Sequence, residues 1–340
     1  MAKRIMAVYD VDPFYAERFA EFINRRDQVP FSVVAFTALE RLKAYASDHK
    51  IELLLINSAV SQEEIRKIGA ARVVSLADGE VAPLDEQYPS VYKYQSADSI
   101  MREVMACYCV DPEEAGFAMV SRASRVIGVY SPVNRCLKTS LALTMGQLLA
   151  RDARVLYVNL EDCSGFGRLI GEEYKGGLSD LLYYYIQNSF SWMRLGSVVY
   201  TWGDLDYVPP VKYPEDLSQI TSQEMVGLLT RIARESTYEI IILDLGQFGK
   251  KAVEVLELCD VIYMPVKDDC VSVAKVEEFE EYLISSGHES LKKRIVKLKL
   301  PYHCNFGRRD SYLEQLLWGE LGDYTRQLLR KQLSGGKEYG

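Results

Sequence analysis

Histidine and paired cysteine are what this sequence has least of: three histidines in 340 residues, and seven cysteines that are odd in number and scattered. Only Cys107 and Cys109 stand close together, and no Cys-x2-Cys spacing occurs. A structural zinc site needs clustered Cys and His donors, so none is expected, and unpaired thiols fit a reducing, cytosolic setting. Long apolar runs are absent too. Nothing reaches the roughly 18 apolar residues of a membrane span, and Met1-Ala2-Lys3-Arg4 leads into a short strand-like segment instead of a signal peptide. An excess of positive charge is also missing: 40 basic residues face 48 acidic ones, a net charge of −8, so nucleic-acid binding without sequence preference would need a local basic patch. What is present is an ordinary globular balance, 48% hydrophobic and 26% charged, which excludes a mainly disordered chain. The length is enough for about two domains of roughly 100–200 residues.

Short apolar runs alternate with helical patterns through the first part of the chain. Arg4–Tyr9 is apolar and ends in Asp10-Val11-Asp12-Pro13, and the stretch that follows sets Phe14, Phe19, Phe22 and Ile23 on one helical face. Further runs stand at Phe31–Phe36, Ile51–Ile56, Arg72–Leu76 and Val91–Tyr94, with helical stretches at Leu39–Tyr45, Glu63–Ile68 and Ile100–Cys107. This alternation predicts a small parallel α/β sheet over residues 1–110. Asp111–Gly116 has the turn chemistry of a linker, placed at 111–122. A second alternation predicts a larger doubly wound sheet over 123–333, with strands at Arg125–Tyr130, Arg154–Leu160, Glu239–Leu245, Val261–Val266 and Arg294–Leu300 and a helix from about Thr139 to Ala150. The aromatic-rich Leu182–Asp206 reads either as a helix on that sheet or as a partner-facing patch. Ser334–Gly340 reads as a frayed tail.

Between the first strand and first helix of the larger module lies Ser131-Pro132-Val133-Asn134-Arg135-Cys136-Leu137-Lys138-Thr139-Ser140. A loop that ends in Lys-Thr at a helix start is where P-loop proteins hold a nucleotide, because backbone N–H groups and the helix dipole there favour anionic phosphate. On this reading Lys138 sits on the β and γ phosphates, the Thr139 hydroxyl on Mg2+, and Ser140 near the α phosphate. The general pattern wants glycine at Pro132 and Leu137. Two further strands end in acids, at Glu161-Asp162 and at Asp244, and the carboxyl ends of a doubly wound sheet converge on the first loop. Asp244 is placed to support a Mg2+-bound water, and Glu161 or Asp162 to orient an attacking water.

With Lys138-Thr139-Ser140, Asn159-Leu160-Glu161-Asp162, Ile240–Asp244 and Cys259–Val266, residues 123–333 resemble the MinD/ParA group of deviant Walker ATPases. With the first module included, the chain resembles TadZ/CpaE-type pilus-assembly localisation proteins, in which a receiver-like domain precedes such an ATPase. The resemblance implies two doubly wound parallel-sheet domains, the first flavodoxin-like, with ATP and Mg2+ as cofactors. It also implies a homodimer, protein partners in a pilus or secretion apparatus, and a cytoplasmic place with peripheral contact at the inner face of the membrane or the cell pole. The sequence departs from the group in the loop. Val133 replaces the signature lysine, Asn134 and Arg135 replace two glycines, and Leu137 replaces a third. Asparagine tolerates a left-handed backbone, whereas leucine and arginine do so less readily. Arg135 is a candidate to supply the missing charge. The earlier switch has Glu161 where an aspartate is usual, and Asp244 is followed by Leu245-Gly246-Gln247 instead of a proline-containing switch, so slow or absent hydrolysis is expected.

The first module resembles a response-regulator receiver. Asp10 and Asp12 match its Mg2+-binding acids, Lys93 its conserved-type lysine, and Asn57 falls where the phosphoacceptor aspartate would stand. An amide has no anionic oxygen to attack phosphorus, so a non-phosphorylatable pseudo-receiver is expected. The plainer alternative leaves Asp10 and Lys93 as strand-end charges. Two rival functions stay open: a scaffold that binds no nucleotide, and a bacterial tyrosine-kinase-like P-loop enzyme suggested by Gly177–Leu182 and 23 tyrosines. Residues 323–333 form a basic, leucine-bearing helix expected to lie on the domain, with membrane contact as the alternative. Lys292-Lys293-Arg294 with Lys297 and Lys299 reads as a strand and its entry, and nucleic acid is not an expected partner.

Overall fold

The computed structural model describes residues 4–25, 31–78, 88–108, 124–246, 249–301 and 311–335. The chain divides into two units, Met1–Gly116 and Phe117–Gly340. The expected linker at 111–122, Cys109 and Gln247 lie outside the described residues.

Unit 1 holds β1 (Arg4–Tyr9), β2 (Phe31–Phe36), β3 (Ile51–Asn57), β4 (Arg72–Ala77) and β5 (Ser90–Tyr92) in a parallel sheet of order β2-β1-β3-β4-β5. This is the flavodoxin-like order. Its central strand β3 is buried along its whole length, as a near-continuous apolar run demands when helices cover both faces. The helix Pro13–Asn24 starts because Pro13 suits the first helical turn and the Asp12 carboxylate accepts the Phe14 and Tyr15 amides. Its buried face is Ala16, Phe19, Ala20 and Ile23. Phe14, expected on that face, is instead 73% exposed, since the helical turn that begins at Asp12 carries it to the opposite side.

Unit 2 holds β6 (Arg125–Val129), β7 (Val155–Leu160), β8 (Tyr200–Trp202), β9 (Leu205–Val208), β10 (Ile240–Leu245), β11 (Val261–Val266) and β12 (Ile295–Lys299). The order is β12-β11-β6-β10-β7-β9-β8, and every neighbouring pair is parallel except β8 with β9. The chain leaves β6 toward β7 on one side and later returns to β11 on the other, so the strand order reverses around β6. The crevice outside the carboxyl ends at such a reversal is where ligands bind in open α/β sheets. The fold class is therefore the expected one, two doubly wound parallel-sheet units.

The aromatic-rich stretch is a correction. It forms two helices, Leu178–Ile186 and Trp192–Val198, and then the β8–β9 hairpin, not one helix. Asn188 has φ 50 where the first helix ends, and Gly203 turns the hairpin at φ 62, where a Cβ would sit 2.6 Å from the Gln147 side chain. Most of its aromatics face inward: Tyr200 lies in one core cluster with Phe166, Phe190 lies in another, and Tyr184 and Tyr185 pack against the latter, leaving Tyr183 exposed. The Gly177–Leu182 motif is a helix start, in which Asp180 accepts the Gly177 amide at 2.8 Å and Ser179 bonds Asp216.

The helix Glu320–Gly335 lays Leu321 and Thr325 into the core and packs Leu328 and Leu329 against it. The helix continues through Ser334 and Gly335, where a frayed tail was expected, and 336–340 lie outside the described residues. Among the described residues no helix is long and apolar enough to cross a membrane. The basic stretch is β12 and its entry. Lys297 pairs with Glu280, Lys299 with Asp268, and Arg294 donates to the Glu257 and Cys259 carbonyls. Leu321 is 1% exposed, so Leu321→Ala should destabilise unit 2 by about 2–4 kcal/mol, read as a lower urea midpoint.

Candidate functional site

The loop between β6 and the helix Lys138–Leu149 is anchored from beneath. Ser131 Oγ donates to the Pro265 carbonyl at 2.6 Å and accepts the Val133 amide at 3.1 Å. Val133, at the place of the absent lysine, is buried in the core beside Cys136. Asn134 and Arg135 are exposed. Two left-handed residues follow: Arg135 at φ 52 and Leu137 at φ 65. The two residues that tolerate this conformation less readily are thus the ones that adopt it, and Asn134 does not. Each carries a cost of roughly 1–2 kcal/mol relative to glycine. Leu137 stands at the helix start, and its side chain caps none of the first amides of Lys138–Leu149.

The Lys138 side chain is buried, donates to the Leu245 carbonyl at 3.2 Å, and lies 3.6 Å from Glu161 Oε1. The Ser140 hydroxyl bonds the Tyr312 hydroxyl, in the helix Tyr312–Trp318, at 3.0 Å. Asp162 sits differently from its neighbour Glu161. It is exposed, two residues past the end of β7 in the turn that leaves the sheet.

Asp244 is the deepest member of the site, with no solvent exposure. It stands opposite Asn159 in the β7–β10 ladder. Asp244 Oδ2 accepts the Tyr157 hydroxyl at 2.8 Å and the Asn159 amide at 3.2 Å, and the same Asn159 amide donates to the Tyr157 oxygen at 2.8 Å. Asp244 Oδ1 is buried with no hydrogen-bond partner. Burial first, and the Glu161 charge second, push the Asp244 carboxyl up to about 7, against the nearby Thr139 and Tyr157 hydroxyls and the Lys138 charge. Burial also raises Glu161, with Lys138 opposing it. The ends of β7 and β10 touch at Gly246, where a Cβ would sit 3.0 Å from the Glu161 Cα and the Leu160 carbonyl. Tyr157 had no part in the sequence reading. Its only signal there is a tyrosine in an aliphatic strand, two residues before Asn159 and so on the same face.

In unit 1 the structure brings Asp10, Asn57 and Lys93 together, all buried. Asn57 Nδ2 donates to Asp10 Oδ2 at 3.0 Å, and Lys93 Nζ pairs with Asp10 at 3.1 Å and with Asp78 at 2.5 Å. Burial works against both charges. Even so, Asn57, the Asp12 amide and Lys93 hold Asp10 below the ordinary carboxylate range, and Asp78 and Asp10 hold Lys93 above the ordinary amine range. The expected pair of Mg2+ acids is therefore corrected. Both Asp10 oxygens have partners inside the protein, and Asp12 caps the helix Pro13–Asn24.

No family model and no curated protein matches the chain. Solved structures do. A ParA-family ATPase from Chlorobium tepidum is 20% identical over 60% of this chain and 97% of its own, with a TM-score of 0.47. A plasmid partition protein from Borrelia burgdorferi bound to AMPPNP is 13% identical over 60% of this chain and 99% of its own, at 0.45. Cobyrinic acid a,c-diamide synthase from Mycobacterium smegmatis, with bound ADP and magnesium, is 13% identical over 62% and 96%, at 0.46. Likeness at this level carries no functional inference, and the chemistry rests on this chain's own residues.

Arg135 is exposed and left-handed, so Arg135→Gly should stabilise unit 2 by about 0.5–1 kcal/mol, measured by urea unfolding. The folded value of Asp244 lies above its unfolded value near 3.8, so its contribution is fully present below that value and lost as pH rises through about 7. From about pH 6 to about pH 8 the wild-type unit should lose about 1 kcal/mol that Asp244→Asn keeps, seen as a smaller fall in melting temperature for the variant.

Proposed function

We propose that unit 2 binds a nucleoside triphosphate, ATP by resemblance, with Mg2+ at the Ser131–Ser140 loop, and that it hydrolyses the nucleotide slowly or not at all. The observation that carries this reading is the strained backbone before Lys138: a leucine and an arginine hold left-handed turns that glycine would make at little cost. Strain of this kind persists where surrounding structure enforces it, and it gathers at ligand-binding turns. In this reading Lys138 takes the β and γ phosphates, and the uncapped amides at the helix start take the negative charge. The Thr139 hydroxyl and Asp244 are hard oxygen donors, and the unpartnered Oδ1 of Asp244 fits a Mg2+ ion or its water. Bound Mg2+ would neutralise phosphate charge there.

Several features support slow turnover. Glu161 is held against Lys138, Asp162 faces solvent, and Asn159 is an amide that can take no proton from water. A protein that binds nucleotide and releases it slowly suits a positioning or assembly factor of the MinD/ParA kind. On the two-module resemblance, it would serve a TadZ/CpaE-like pilus apparatus as a cytoplasmic homodimer near the inner face of the membrane. The second reading is a scaffold without nucleotide. One observation favours it: Lys138 already has an internal carboxylate partner.

Thermal unfolding with Mg-ATP tests the proposal. At a ligand concentration about 100 times Kd the wild-type chain should gain about 2.7 kcal/mol, a rise of several degrees in melting temperature. Lys138→Ala should abolish the rise. No rise in either protein would favour the scaffold, and an equal rise in both would overturn the role given to Lys138.

A further inference from the structure

Asp244 raises a question that the triphosphate reading leaves open: how a carboxylate with no solvent exposure comes to present a single free oxygen. A buried polar atom without a partner costs roughly 1–3 kcal/mol, and more when charged. Left to itself the carboxylate would rotate to share its nearby donors between both oxygens. Here it does not. The Tyr157 hydroxyl and the Asn159 amide both donate to Oδ2, and the Asn159 amide also bonds the Tyr157 oxygen, so the three side chains form a closed triangle on one face of the sheet.

Geometry holds that triangle rigid. Asn159 and Asp244 are direct ladder partners in β7 and β10, and Tyr157 lies two residues earlier on the same face. The Tyr157 ring is fixed in the core by Phe166, with centroids 5.7 Å apart. With both of these donors on Oδ2, Oδ1 is left without a partner.

We infer that Tyr157 and Asn159 are positioning residues for the Mg2+-binding carboxylate, clamping Asp244 through Oδ2 so that Oδ1 alone is offered to the ion. This rests on the triphosphate reading above. Neither residue touches the ligand in this account, so their removal should change how much Mg2+ adds to nucleotide binding, not the Mg2+-free binding that Lys138 and the helix start provide. A residue that served only packing would move both alike, or neither.

The test is calorimetric titration of the full chain with ATP, once with excess Mg2+ and once with chelator, for wild type, Tyr157→Phe, Asn159→Ala and Asp244→Asn. Tyr157→Phe keeps the ring and its contacts, and melting temperatures check that each variant is folded. The expected result is a Mg2+-dependent gain in wild-type affinity that falls about tenfold in Tyr157→Phe and Asn159→Ala and vanishes in Asp244→Asn, with chelator affinities unchanged. An undiminished Mg2+ gain in a folded Tyr157→Phe would overturn the clamp while leaving the triphosphate reading intact. Wild-type protein that binds no nucleotide in either condition would overturn both.

Discussion

The pairing of Asn159 with Asp244 across β7 and β10 is the contact on which the candidate site depends. It places a carboxylate at the carboxyl edge of the sheet, in full burial, within the field of Glu161 and Lys138. An amide in that position donates to a buried carboxylate without adding charge. A second acid there would put two negative charges in a low-dielectric space, and the strand ends would repel. Around this contact the rest of the site is arranged: Tyr157 completes the donor set, Gly246 lets the two strand ends meet, and Lys138 bridges to both through Glu161 and the Leu245 carbonyl.

The two units handle their buried charges in opposite ways. In unit 1, Lys93 and Asn57 satisfy Asp10 completely, so the centre is closed by its own side chains. In unit 2, one oxygen of the central acid is left without a partner, and the helix start beside it is uncapped. Unmet hydrogen-bonding capacity in a folded protein invites an ion or a water, and a satisfied network does not. The contrast is consistent with the proposal that ligand chemistry belongs to the larger unit.

Much of this was legible in the sequence. Both sheets could be read because aliphatic runs such as Leu53–Ile56 and Ile240–Leu243 have only one stable place, between two layers of helices. Lys138, Asp244, Asp10 and Lys93 could be found because strand-end charge and a Lys-Thr helix start obey spacing rules. What could not be read depended on contacts distant in sequence. Ser140 turns to Tyr312, which is 172 residues away, and no local pattern announces that. Tyr157 looks like an ordinary core aromatic until β10 is laid beside it. The β8–β9 hairpin was hidden because its aromatics fit a helix face as well as a strand, and only Gly203 marks the turn. Arg135 and Leu137 ran against propensity altogether, since residue preference ranks them poorly for the conformation that the fold imposes.

The most direct measurement is a crystal structure of the chain soaked with Mg2+ and a non-hydrolysable ATP analogue. The account predicts phosphate density against Lys138 and the start of its helix, with Mg2+ beside Thr139 and Asp244 Oδ1 and the left-handed turns at Arg135 and Leu137 unchanged. A loop mouth without analogue at saturating concentration, with the Lys138–Glu161 pair intact, would contradict it.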